Sequence, residues 1–525
     1  MRIRAHNPLF SSLRLSRRHA IVYLCLLVSA VAPWFLVAHY NAKTWAVGEV
    51  SVAFWAWQSQ APSPTDVQNA INEVHAKELF IRSGQIDYVN GKLKRIRPTI
   101  GKYPAGININ LVYNATGDFL NSFGTIPPVD LAITFADLYR QDSARAAVDG
   151  ADVVGIQLDL DVPTRLLGEY TLVLRDLRKS LSRTVISITG LPSWMESPQL
   201  KKTLVETDFW VPQCYGARIP ERMDQEIPIA SPAGVAQTVR RVRQLDHPFY
   251  AGLAAYGYAI HYSGNGRILE LGGDLDPKVI VTNHALEQIG PAPRIGLDIG
   301  DIRYRYRAIE DCTTGSMQLR KGELLVLDVP TEEGLRASIR AVLENAGSML
   351  RAICLFRLPS KNDPTTLSLS EIESALADRP PVNSLEATLT NESTTGAERL
   401  SIRNNGSASS VLGSVRDNAL NVTLAIPLGT LASLQTDDIL TAKAMCAVSS
   451  DGVTPNESLV PCSPRRANRI QLSSPNWRSG DEQNVVMLFN QTAPQQIPIT
   501  ISINNGDGRI WQDKRILTVD EEVHK

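Results

Sequence analysis

From about residue 50 to 378 the chain alternates short apolar runs with segments that repeat at helical spacing, and this alternation limits the fold more than any other feature. It is the pattern of βα units, which build a mostly parallel sheet covered by helices. Candidate strands are 51–57, 106–113, 130–135, 153–160, 184–190, 208–215, 249–255, 322–328 and 352–358. The clearest helix runs from 165 to 181, where Leu166, Leu167, Tyr170, Leu174, Leu177 and Leu181 share one stripe, with Arg175, Arg178 and Lys179 off it. No G-x-G-x-x-G follows the first strand, so a TIM-type (β/α)8 barrel fits better than an open doubly wound sheet. An insertion is expected near 261–321.

The texture changes after Arg379-Pro380-Pro381. Ser, Thr, Asn and Gly dominate there, and apolar residues alternate in segments such as 398–403, 420–426 and 484–489. This predicts a C-terminal antiparallel β-sandwich over 383–522, an accessory domain hinged at the diproline, whose rings lack N–H donors and push Arg379 out of the helical region. At the other end, Arg2, Arg4, Arg14, Arg17 and Arg18 precede an uncharged run from Ala20 to Ala38. A run of that length can span a bilayer with its basic flank inside. The expectation is a cytoplasmic tail at 1–19, an N-terminal transmembrane helix at 20–39 serving as a single-pass inner-membrane anchor, and the bulk of the chain in the periplasm. A cleaved signal peptide is the competing reading, against which stands Pro33 directly after Ala30-Val31-Ala32. Either one exports everything after residue 40.

Export permits disulfides. Cys446 and Cys462 lie 16 apart in a strand-rich region and are a candidate bridge, left open here, while Cys214 and Cys354 sit in apolar strands as small core residues. Fifty-three Lys and Arg balance 54 Asp and Glu, so no global field favours nucleic acid as a partner. The eight His show no H-E-x-x-H and no Cys pair is C-x-x-C, so no metal site is predicted. No nucleophile elbow, phosphate loop or dinucleotide fingerprint is present, and no cofactor is expected.

The chemistry concentrates in Gly155-Ile156-Gln157-Leu158-Asp159-Leu160-Asp161-Val162-Pro163. A strand alternates faces, so Ile156, Leu158 and Leu160 point toward the helices while Gln157, Asp159 and Asp161 point inward. Buried carboxylates need donors, water or a ligand, and two on one face raise each other's pKa, which suits a general acid with a charged neighbour. The bland alternative has Asp161 capping the following helix. A second inward column is Phe209, Val211, Gln213 and Tyr215, with Gln213 and Tyr215 at the strand end where barrel enzymes place their chemistry. Trp55, Trp57, Trp194, Tyr256 and Tyr258 recur at predicted strand exits and could form platforms for sugar rings, against the alternative of core packing. Arg357, at the last strand's exit, could neutralise Asp159, grip a substrate oxygen or form an interior ion pair.

The runs Phe54-Trp55-Ala56-Trp57, GIQLDLDVP, ISITGLPSW and VPQCYG resemble a bacterial envelope family described as domain of unknown function 3142. That resemblance implies kinship and no particular activity. More distantly, the chain resembles family 18 glycoside hydrolases, barrels with D-x-x-D-x-D-x-E on the fourth strand and M-x-Y-D on the sixth. Laid on that pattern, Asp161 stands at the acid glutamate, Asp159 at the third aspartate and Tyr215 at the tyrosine. Val154, Gln157, Gln213 and Gly216 depart from it. The resemblance implies a glycoside-hydrolase-like barrel acting on a polysaccharide or cell-envelope glycan, with Asp161 as acid, Asp159 tuning it, and Tyr215 holding substrate beside Gln157, Gln213, the aromatics and Arg357. The alternative is a non-catalytic glycan-binding or envelope-assembly protein on the same scaffold. Glycan identity, linkage, stereochemical outcome and oligomeric state are not written in the sequence.

Overall fold

A computed structural model describes residues 48–216, 218–273, 275–290, 300–360, 363–392, 397–413, 418–436, 441–449, 457–490, 493–505 and 509–520. The predicted tail at 1–19 and anchor at 20–39 lie outside the described residues. Among the described residues no helix is long and apolar enough to cross a membrane.

Eight parallel strands close into a barrel: β1 (Ser51–Ala56), β2 (Ala76–Val89), β3 (Asn108–Ala115), β4 (Asp152–Asp159), β5 (Val185–Gly190), β6 (Phe209–Pro212), β7 (Phe249–Ala254) and β8 (Leu350–Phe356). Each pairs with its neighbour in sequence, and β8 returns to β1 with Trp55 opposite Phe356. Closure leaves none of the eight staves as a free edge. A hairpin strand, Lys92–Ile96, extends β2 on one side.

The alternation of faces sets the two cores. Ile156, Leu158 and Leu160 of β4 and its exit pack into the layer between strands and helices. Ala53, Trp55, Phe80, Val112, Phe209 and Val211 fill the barrel interior. The helix Leu167–Ser180 lays Leu167, Tyr170, Leu174 and Leu177 on the barrel, as its stripe predicts. Its off-stripe Arg175 and Arg178 reach out to Glu206 and Asp208.

Three strand assignments need correction. Residues 130–135 are not a strand: they belong to the helix Pro128–Val148, whose Leu131, Ala132, Phe135, Ala136 and Tyr139 are buried at helical spacing. The second barrel strand is instead Ala76–Val89, missed because its inward column carries Glu78 and Arg82. The 322–328 run is a strand, Leu324–Pro330, but it lies outside the barrel. It pairs antiparallel with Tyr258–Tyr262 and Asp301–Ala308 in a five-stranded sheet completed by Ile268–Gly272 and Leu286–Gln288. This sheet is the insertion between β7 and β8, somewhat longer than the predicted 261–321.

Among the described residues beyond the diproline, ten strands form two antiparallel sheets that share Ile510–Asp520. That strand pairs parallel with Leu385–Glu392 in one sheet and antiparallel with Gln496–Asn504 in the other. Leu400, Val422, Leu472, Trp477, Val485 and Ile501 form one core between them. Cys446 and Cys462 are bridged, with Cα atoms 5.8 Å apart, while Cys214 and Cys354 are buried free thiols. The C-terminal unit docks on the insertion and on the segment after β8. Arg478 donates to the carbonyls of Pro364 and Thr366, Lys278 pairs with Asp481 at 3.0 Å, and the Leu412 N–H donates to Tyr304 Oη at 3.0 Å.

Candidate functional site

At the C-terminal end of β4 the strand stops at Asp159 and the chain bends. The Val162 N–H donates back to Leu160 O at 2.7 Å, so Asp161 sits at the apex of the bend. Val162 is buried, and its carbonyl accepts the Trp194 indole N–H at 2.8 Å. The backbone carrying Asp161 is therefore fixed on both sides. The capping alternative does not hold, because the caps of the following turns, Pro163 and Leu166, involve no side-chain hydrogen bond.

The two aspartates differ in surroundings. Asp159 is half-buried and accepts a hydrogen bond from the Thr189 hydroxyl at 2.5 Å. Burial first, and the Asp161 charge second, push its carboxyl up to about 7, against the opposing Thr189 bond. Asp161 is exposed at the mouth, yet enough protein surrounds it to displace bulk water and raise its pKa. Among the described residues neither forms an ion pair, so nothing locks the pair into the wall.

Tyr215 completes the inward column of β6 as predicted, packing partly buried on the interior cluster. Burial, followed by Tyr256 and Asp159, raises its phenol well above the usual value, so it is a neutral hydrogen-bond donor at ordinary pH. Its ring lies 6.1 Å from both Tyr256 and Phe356. Phe356 in turn meets Trp57 at 5.6 Å and Tyr256 at 4.9 Å. Trp57, Phe356, Tyr256 and Tyr215 thus form a continuous aromatic floor, and half-buried Gln213 stands on the same inward column as Tyr215. Phe356, the hub, was not singled out from sequence, although its place at the end of the last strand was the available signal. Asn114, opposite Asp159 in the β3–β4 register, was missed as well, and its Oδ1 has no partner.

Five predicted contact residues are not presented to a substrate. Gln157 is 0% exposed and is consumed internally: its Oε1 accepts from Trp55 Nε1 at 2.7 Å and its Nε2 donates to Ser187 at 3.4 Å. Trp55 is sealed by the same bond in the middle layer of the barrel. Trp194 is buried against Tyr170 between strands and helices and acts on the Asp161 bend from behind. Tyr258 is buried in the insertion sheet. Arg357 does not reach Asp159; its guanidinium donates to Asp363 at 2.5 Å, to Gly273 O at 2.8 Å and to Thr365 Oγ1 at 3.1 Å, fastening the β8 exit to the insertion.

A cavity of about 420 Å³ lies away from the aspartates, between the insertion and the C-terminal sheets. Its buried Glu371 accepts from the Ser368 N–H and the Ser409 hydroxyl, whereas Glu332 in the same lining is buried with both carboxylate oxygens unpartnered, and burial pushes its carboxyl up to about 8. What distinguishes the barrel mouth is that its two carboxylates stand together at a strand end beside Tyr215, whose phenol feels both charges.

The family model described as domain of unknown function (DUF3142) matches residues 124–279, which span β4 to β7 and both aspartates. No curated protein matches the sequence. Among solved structures, the chain is similar to the spore cortex-lytic enzyme SleL of Bacillus megaterium (12% identity, TM-score 0.40, covering 63% of this chain and 74% of that one). It is similar also to a chitinase of Chromobacterium violaceum (13%, TM-score 0.40, 63% and 100%). A third is the GH18 chitinase ChiB of Flavobacterium johnsoniae (12%, TM-score 0.36, 63% and 94%). The barrel assignment rests on the closed strand order above.

Proposed function

We propose that the protein is an exported glycan hydrolase, held at the inner membrane by its N-terminal segment with the barrel in the periplasm, and that it acts on a polysaccharide or cell-envelope glycan. The observation that carries this reading is the aspartate pair at the mouth, free of counter-ions, one member exposed and the other pushed up to about 7, beside an aromatic floor. Asp161 serves as general acid and delivers its proton to the glycosidic oxygen as the bond breaks. Asp159, when ionised, stabilises the positive charge that develops on the sugar ring. Tyr215 donates a hydrogen bond to the substrate, and Trp57 and Tyr256 offer flat faces to sugar rings with Gln213 at their edge. Asp161 must be protonated to act, so turnover is expected to fall as the pH rises through the range in which this carboxyl, raised by burial, ionises, with Asp159 giving up its own proton only near pH 7. The likeness of the fold to chitinases and a cortex-lytic enzyme agrees with a glycan substrate.

The test is release of new reducing ends from a panel of cell-wall and exopolysaccharide glycans by the full-length protein in detergent. Asp161→Asn should lower the rate by about 10²–10⁴-fold. Undiminished turnover in that variant overturns the assignment. A second reading, a glycan-binding protein that does not cleave, is favoured by two features: Gln157 is tied to Trp55 where the hydrolase pattern has an aspartate, and Gly216 replaces another. Binding without new reducing ends, unchanged by Asp161→Asn, would select it.

A further inference from the structure

On β2 the inward column runs Glu78, Phe80, Arg82, and the last of these lies against Trp57 at one end of the aromatic floor. Arg82 is 7% exposed. Its Nη2 donates to Ser59 Oγ at 2.5 Å, its Nε has no partner, and its guanidinium lies 5.8 Å from the centre of the Trp57 ring. Among the described residues no carboxylate pairs with it. Glu78, on the same column, is taken by Tyr250 at 2.8 Å and Asn110 at 3.0 Å. The charge felt most strongly by Arg82 is another cation, Arg97, which together with burial lowers its pKa. The other sheltered arginines of the barrel and insertion are treated differently. Arg303 is held by both oxygens of Asp328, Arg357 by Asp363 and Arg95 by Asp142.

A buried cation with no counter-ion is costly unless something supplies the negative charge. Here the uncompensated guanidinium lies over the Trp57 ring, so a sugar packed against the open side of that ring would bring its substituents beside it. We propose that the barrel mouth takes an anionic glycan and that Arg82 holds the carboxylate or phosphate of the sugar packed beside Trp57. This deepens the proposed function and rests on its reading of the mouth as a glycan site. It separates the roles of the charged groups: the aspartates face the bond to be cleaved, and Arg82 selects the sugar beside it. Guanidinium geometry suits carboxylate and phosphate alike.

The test is affinity, measured by calorimetry on full-length protein carrying Asp161→Asn so that no probe is consumed. The probes are oligomers of galacturonate, glucuronate and mannuronate, each beside its carboxyl-reduced neutral twin, and a phosphorylated oligomannose beside its dephosphorylated form. The expected result is at least about tenfold tighter binding of an anionic member than of its twin. That preference should vanish in Arg82→Gln, persist in part in Arg82→Lys, and weaken with added salt. The uronate and phosphate arms distinguish the two sources of charge. Equal affinity for both twins throughout the panel, a preference that survives Arg82→Gln, or no binding at all overturns the proposal. If Arg82→Gln fails to fold, Arg82→Lys decides, since loss of preference with the positive charge retained contradicts charge recognition. Cleavage of neutral glycans without anion preference would sink this inference and leave the hydrolase standing. Anion-selective binding without new reducing ends would do the reverse.

Discussion

Two aspartates separated by one leucine behave differently because the strand ends between them. Asp159 remains in the sheet, bonded to Thr189, while Asp161 rides the bend beyond it into solvent. The pKa of Asp159 has a consequence for stability. It lies near 7 in the folded protein against 3.8 ordinarily. Between those values the folded chain binds more protons than the unfolded one, so this group lowers stability as pH rises from about 4 to 7 and does so fully above 7. Asp159→Asn removes the charge and keeps an acceptor for Thr189. It should raise the melting temperature at pH 8 by a few degrees and leave it nearly unchanged at pH 4, as scanning calorimetry can check. An equal change at both pH values would contradict the assignment. The direction in which Asp159, Asp161 and Tyr215 face was legible from period-two alternation. Depth was not, because alternation does not say how far along a stave a side chain lies. Trp55 and Gln157 face inward as read, but in the layer where facing side chains close on one another.

At the scale of elements, the strongest apolar periodicities were read correctly and the ambiguous ones were not. Asp130-Leu-Ala-Ile-Thr-Phe135 contains β-branched residues and looks extended, yet Pro127 and Pro128 before it start a helix of 21 residues. Isolated runs of six cannot decide between the two structures. The helix leaves Ile133 exposed and buries Leu131. Leu131→Ala should therefore cost about 2–5 kcal/mol in chemical denaturation, and Ile133→Ala less than about 0.5 kcal/mol. Comparable losses at both positions would fit a strand buried on both faces instead. β2 was missed for the opposite reason: Glu78 and Arg82 interrupt its apolar pattern, and both are inside because the barrel gives them partners or work. The 322–328 run was a true strand, but its sheet could not be read from local pattern, since its partners Tyr258–Tyr262 and Asp301–Ala308 are remote in sequence or carry charge.

For the molecule as a whole, composition shifts at the diproline, and the two sheets beyond it form a core separate from that of the barrel. The Cys446–Cys462 bridge ties two strands of that second core across 16 residues. A loop of that size stabilises by about 3 kcal/mol through the unfolded state. Reduction with a thiol should lower the C-terminal unfolding transition and leave the barrel transition in place; a fall in both would mean that the units unfold as one. The way the units are joined matters further. Arg478 and Lys278 fasten the C-terminal sheets to the segment after β8 and to the insertion, and Arg357 fastens that same insertion to the β8 exit. Strain applied at the tail would therefore be felt first at the rim of the barrel and only afterwards in the staves, so that a load on one end of this chain reaches the barrel mouth through a short train of charged rivets.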